Sequence, residues 1–141
     1  MKIIKEYPPI IGDIKQLLDI SRSDIIFTYC GKEGDTIYNP SGIEIPDHVM
    51  IHERVHCEQQ RHSEEGAKEW WEKWLKDPEF RISQEVEAYG KQYKYICTIV
   101  RDKNARERNL NTMAEMLTWP MYGSLIDLTE AKRRIRKESL N

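Results

Sequence analysis

The sequence predicts an α+β domain, mainly helical, with a small β-hairpin near its N-terminus. Three observations carry this reading. Two β-branched and aromatic stretches, Ile25 to Tyr29 and Thr36 to Tyr38, flank the glycine-containing loop Gly31-Lys32-Glu33-Gly34-Asp35. From Pro46 onward the apolar residues recur at helical spacing, between start signals at Asp47 and Asp77-Pro78 and breaks at Gly66 and Trp119-Pro120. A chain of 141 residues has room for one modest core, so residues 1–141 read as a single domain.

The elements follow in order. Tyr7-Pro8-Pro9-Ile10 is an extended lead-in, because proline biases the residue before it away from the helical region. Ile14, Leu17, Leu18 and nearby Ile20 make a short amphipathic helix. The hairpin comes next, then a turn at Pro40-Ser41-Gly42. Asp47 is placed to cap a helix whose apolar side is Val49, Met50, Ile51 and Val55. Glu69 to Leu75 is a short helix carrying Trp70, Trp71 and Trp74, read as core rather than as a substrate platform. Asp77 as cap and Pro78 at the first helical position start a long helix that runs toward Val100. Asn109 to Thr118 is amphipathic through Leu110, Met113 and Leu117, and Leu128 to Lys137 is the last helix.

Charge and cysteine usage narrow the function classes. A third of the residues are charged, but the net charge is only −2, so no strong field points to nucleic acid or a membrane surface. The basic run Lys132, Arg133, Arg134, Arg136 and Lys137 has no interleaved aromatics and reads as a solvated helix end. No nucleic-acid partner is expected. Cys30, Cys57 and Cys97 are odd in number and lack Cys-x-x-Cys spacing, which suggests reduced thiols in a reducing compartment, with Cys57 in the core. Met1 to Ile20 shows no apolar stretch of signal-peptide type, and no segment approaches a membrane span. A cytoplasmic location is the expectation. Neither the substrate's identity nor the oligomeric state is legible.

The chemistry lies in one window. All four histidines, His48, His52, His56 and His62, fall within it, and His52-Glu53-Arg54-Val55-His56 is an H-E-x-x-H pattern. Residues four apart stack on one helix face, so two imidazoles there can grip one zinc ion. Glu53, about 100° around the helix, is placed to serve a water as general base rather than to complete the chelate. A third ligand is needed. In an unbroken helix His62 lies about 9 Å along the axis beyond His56, and His48 to His56 spans about 12 Å, so a straight column cannot close on one ion. The long downstream helix offers Glu85 and Glu87. Glu85 shares its face with Ile82, Ala88, Tyr89 and Gln92 and looks inward. Glu87 neighbours Ser83, Gln84 and Gly90, with Lys91 as an ion-pair partner. An inward carboxylate needs a positive partner, either a metal or Arg81 one turn back. Glu85 is the expected third ligand.

These residues resemble the gluzincin metallopeptidases, in which His-Glu-x-x-His is followed after a helical insert by Glu-x-x-Ala-Asp or Glu-x-x-Ala-Asn. Here the insert leads to Glu85-x-x-Ala88-Tyr89, so the usual residue that orients a histidine is replaced by Tyr89. More closely, the chain is similar to small metallopeptidase-like proteins often encoded by bacterial viruses. That similarity runs from Asp24 to about Tyr122. It rests on Asp24 to Tyr29, Tyr38-Asn39-Pro40, His52 to Gln60, Trp70-Trp71, Phe80-Arg81 and Glu85 to Tyr89. The resemblance implies a minimal zincin-like domain with the hairpin beside the metal helix, zinc on His52, His56 and Glu85, and hydrolysis of a peptide or protein in the host cytoplasm. It also implies that the strand Thr36 to Asn39 offers a free edge to an extended substrate. Tyr89 and Tyr122 are the candidate donors to the transition state. Three other readings stand beside it: a structural zinc without catalysis, a three-histidine site using His62, and a binding module that has lost its metal.

Overall fold

In the computed structural model, which describes residues 1–17, 25–32 and 34–141, the chain opens with a strand that the sequence did not announce, β1 (Lys2–Ile4). Three residues are too few to show an alternation of period two. One helical turn, α1 (Ile11–Ile14), follows, with Ile14 fully buried and Leu17 in a turn beyond it. Leu18 and Ile20 of the expected helix lie outside the described residues, as does Asp24. The expected hairpin is present as β2 (Phe27–Gly31) and β3 (Gly34–Tyr38), paired antiparallel. Gly34 adopts φ +123°, a conformation that other residues rarely reach, which lets the chain reverse so tightly.

β1 pairs parallel with β3, and the sheet order is β1-β3-β2. Ile37 faces Ile3 on one side and Thr28 on the other. The expected free edge along Thr36 to Asn39 is therefore overturned: β1, unseen in the sequence, occupies it.

The helices follow their start signals. α2 (Asp47–His62) runs unbroken through Gln59, with Pro46 as the flanking residue and Asp47 as the first helical residue rather than the cap. α3 is Ala67–Lys76. α4 (Pro78–Ile99) is capped by Asp77, whose carboxylate accepts the amides of Glu79 and Phe80 at 3.0 and 3.2 Å. α5 (Lys103–Leu117) starts earlier than expected, because Asp102 caps it through the Asn104 amide. A 3₁₀ turn at Pro120–Tyr122 leads to α6 (Leu128–Ser139), capped by Asp127. These Asp caps each satisfy amides that a helix start leaves without partners.

α4 is the axis of the molecule and packs against α2, α3, α5 and α6. One apolar cluster joins α4 to α5 and α6 through Ile82, Val86, Ile96, Leu110, Leu117 and Ile135. A second joins α1, β2 and α3 through Ile14, Phe27, Trp70, Trp71 and Trp74. Gly90 lets α6 approach α4 closely: a Cβ there would collide with Glu138 Cβ and lie 3.3 Å from the Ser139 amide nitrogen. Four of the five basic side chains of α6 are held in ion pairs, Lys132 and Arg136 on Glu107 of α5, Arg133 and Arg134 on Glu130.

Two expectations need correction. The apolar side of α2, Val49, Met50, Ile51 and Val55, is only partly buried; its buried residues are His52, Glu53, His56, Cys57 and Gln60. Cys30 and Cys57 form a disulfide between β2 and α2, leaving Cys97 as the free thiol. The reading of three separate thiols fails for that pair, and the argument for a reducing compartment loses its support. The two cysteines are 27 residues apart and meet only because α2 lies on β2, which no local spacing rule can reveal. No helix among the described residues is long and apolar enough to cross a membrane.

Candidate metal centre

The 3.6-residue period gives α2 two polar stripes. His52, His56 and Gln59 face α4, while Glu53, Cys57 and Gln60 face β2, as their contacts below show. Neither stripe could be buried without partners, because each unpaired polar group in the interior costs free energy. Both stripes find them: among the described residues no side-chain nitrogen or oxygen that is itself shut off from solvent lacks a hydrogen bond.

On the first stripe the two imidazoles converge. His52 Nε2 and His56 Nε2 are 3.0 Å apart. Glu85, from α4, reaches both, with Oε1 3.3 Å from His52 Nε2 and Oε2 2.8 Å from His56 Nε2. All three residues are buried, at 6–7% exposure. Their ligand atoms lie within 4.8 Å of one another, so the group can hold a metal ion. Zinc held tetrahedrally at ordinary bond lengths sets its nitrogen ligands roughly 3.3 Å apart, so this donor set fits with shifts of a few tenths of an ångström.

The outer nitrogens explain why Nε2 is free to converge. His52 Nδ1 meets Gln92 Oε1 at 3.0 Å, and His56 Nδ1 meets Gln59 Oε1 at 2.8 Å. An amide oxygen accepts, so each Nδ1 carries the proton and each Nε2 is left to bind. The glutamines are themselves held: Gln92 Nε2 by His48 Nδ1 at 2.7 Å, Gln59 Nε2 by the Gln84 carbonyl at 3.0 Å. Gln92 thus takes the orienting role that the residue at Tyr89 does not fill. Tyr89 sets its ring edge-on against His52, 4.6 Å between centroids, and donates its hydroxyl to Met116 Sδ.

The rival ligands are elsewhere. His62 is exposed and bonded to the Glu58 carbonyl, and His48 is engaged by Gln92. Glu87 is exposed and accepts from Gln59, not from Lys91, which reaches the Asn141 carbonyl instead. Arg81 feels the Glu85 charge but forms no ion pair with it among the described residues. Its guanidinium is spent on the Trp74 and Leu75 carbonyls at 2.6 and 2.9 Å, at the C-terminal end of α3. Glu85 instead receives the Trp74 indole N–H at 3.4 Å.

On the second stripe Glu53 is buried against β2, and its carboxylate accepts the Thr28 hydroxyl. Gln60 clamps the same strand, giving Nε2–H to the Thr28 carbonyl at 2.9 Å and taking the Cys30 amide at 2.7 Å. The Trp71 indole also donates to the Thr28 carbonyl. The groups that β2 turns toward α2 are therefore already used, and a peptide cannot add a strand at Thr28 to Cys30. Cys30, Asp35 and Cys57 form a second cluster of possible ligands, but its sulfurs are joined to each other and Asp35 pairs with Arg61.

A cavity of about 90 Å³ opens between the stripes and α3, lined by His52, Glu53, His56 and Glu85 together with Ile26, Thr28 and the three tryptophans. The tryptophans are at once core and wall. Tyr122 lies beside α4 with its ring 6.0 Å from the Arg81 guanidinium carbon. Burial first, then the Glu85 charge, pushes its pKa well above the ordinary value, so it stays a neutral donor; the same holds for Tyr89, with Glu53 adding to the effect. Comparison of the chain with family models, curated proteins and solved structures finds no match.

Electrostatics within the group set a pH dependence. Burial alone would lower the His56 pKa. The charge and hydrogen bond of Glu85, with Glu53 and Gln59, outweigh it and raise the pKa to about 9. Burial alone would likewise raise Glu85, but His56 and His52 hold it well below the usual carboxylate range. In the protein without metal, the His56 pair is fully present below pH 6.5 and is lost as pH rises through about 9. A metal must displace that proton. Apparent metal affinity is therefore expected to climb about tenfold per pH unit from 6.5 to 9 and to flatten above. Competition against a chelator of known pH dependence measures this, and a flat profile across the interval contradicts it.

Proposed function

We propose that the protein is a zinc-dependent hydrolase of gluzincin type, acting on a peptide bond. The observation that carries the reading is Glu53. It is a buried carboxylate outside the ligand group, lining the same cavity as the ligands and held by a hydroxyl rather than by a cation. A structural zinc does not itself call for a carboxylate beside its ligands. His52, His56 and Glu85 hold the ion. When bound, zinc supplies Lewis acidity that makes a water nucleophilic near neutral pH. Glu53 takes the proton of the attacking water and returns it to the leaving amine. Neither tyrosine is among the residues that line the cavity; of the two, Tyr122 is the candidate to reach the developing oxyanion, because the Tyr89 hydroxyl is spent on Met116. The substrate chain lies against Ile25, Ile26 and the tryptophan wall, since β2 is clamped beyond them.

Burial of all three ligands favours a second reading, a zinc that only holds α2 to α4. Two measurements separate them. Protein purified from metal-replete medium is expected to carry close to one zinc per chain, and the zinc-loaded protein is expected to cut members of a peptide library in a chelator-sensitive way. One zinc with no cleavage across the library supports the structural reading. No zinc at all removes both.

A further inference from the structure

We propose that Thr28 is the positioning residue of Glu53, an inference that rests on the general-base reading of Glu53. A glutamate on a helix has three rotatable bonds before its carboxylate oxygens, and a base displaced by about 1 Å loses much of its advantage. Glu53 therefore needs an anchor on one oxygen that leaves the other free. Thr28 supplies it. Its hydroxyl donates to Glu53 Oε2 and lies 3.5 Å from the Glu53 carbonyl, and Thr28 is 1% exposed. No other hydrogen bond to the Glu53 carboxylate is present among the described residues, which leaves Oε1 without one, and both residues line the cavity.

The anchor is itself fixed. The Thr28 carbonyl accepts from Gln60 and from Trp71, each at 2.9 Å, and Cys30 two residues on is tied to Gln60 and Cys57. Glu53, Cys57 and Gln60 are the i, i+4 and i+7 positions of one α2 stripe. The strand and the stripe are thus linked at three successive turns, and the hydroxyl cannot drift along the helix. A supporting contact built this way on regular elements holds a reacting group more tightly than one built on a loop.

The test uses cobalt-loaded full-length protein and acetohydroxamate, so that it does not depend on a known substrate. A hydroxamic acid gives up its proton as it chelates a metal, and a base beside the metal accepts it. Binding is read from the cobalt absorption bands. Thr28→Val keeps the branched shape and removes the hydroxyl; it is expected to retain cobalt and to weaken acetohydroxamate by about 10- to 100-fold, the range for outer-shell partners. Thr28→Ser is expected to bind like the parent. Adding Thr28→Val to Glu53→Gln should weaken binding no further than Glu53→Gln alone, because Thr28 acts only through that carboxylate. Thr28→Val binding the probe as the parent does overturns the proposal. So does Thr28→Ser failing as Thr28→Val does, or Thr28→Val losing cobalt, each of which makes Thr28 a packing residue. A parent that takes up no cobalt sinks the metal reading itself, and this inference with it.

Discussion

Glu85→Gln is expected to strip the metal from the protein, whereas Glu87→Gln and His62→Ala leave it bound. The geometry sets the contrast. Glu85 reaches both imidazoles from α4 with its two oxygens, and nothing else among the described residues can replace it there. The amide of Gln is the same size but carries no charge to offset a dication in a buried site. The loss should exceed the roughly 10- to 100-fold typical of removing an outer-shell partner. Glu87 and His62 are exposed and turned to other partners, so their variants should stay within about twofold of the parent. Metal content after dialysis, with circular dichroism as a check on folding, reads the result. The check matters because the protein without metal uses the His56–Glu85 pair to bind these helices together, and breaking a buried pair is costly. Loss of metal in His62→Ala with retention in Glu85→Gln would move the site to the three-histidine class.

The parts of this site that local rules govern were legible in the sequence. His52 and His56 had to share a face once α2 formed, and α2 had no helix breaker before Gly66. Glu85 could be told from Glu87 because their helical neighbours differ, and Gln92 was visible on the Glu85 face without its role being evident. Gln59 could have been found the same way, three residues after His56. The long-range parts were hidden. Thr28, Gln60 and the Cys30–Cys57 bond depend on how α2 lies across β2, and one sequence carries no signal for that docking. β1 was too short to announce itself, and missing it made the central strand look like an edge. The apolar residues of α2 also misled. In an ordinary amphipathic helix they would mark the buried face. Here the buried face is polar, because a group able to hold a metal and a clamp of hydrogen bonds satisfy it. A sequence rule built on hydrophobic burial fails most readily where the interior is polar and satisfied by its own partners.

Glu53→Gln is expected to keep both metal and fold and to lose turnover by at least the order of a hundredfold. The fold should survive because the amide can still present an oxygen to the Thr28 hydroxyl, the one hydrogen bond to that carboxylate among the described residues. The metal should survive because Glu53 belongs to the stripe that faces β2, not to the group formed by His52, His56 and Glu85. Turnover should fall because an amide cannot take a proton from the attacking water or return one to the leaving amine. The fall should not be total, since the ligands and the walls of the cavity remain to polarise and hold the substrate. The measurement is a single-turnover rate on whichever peptide the library screen yields, with zinc content determined on the same sample. If Glu53→Gln cuts as fast as the parent, Glu53 is not the base. If it loses zinc, Glu53 takes part in holding the ion, and the division of α2 into a metal stripe and a base stripe is wrong.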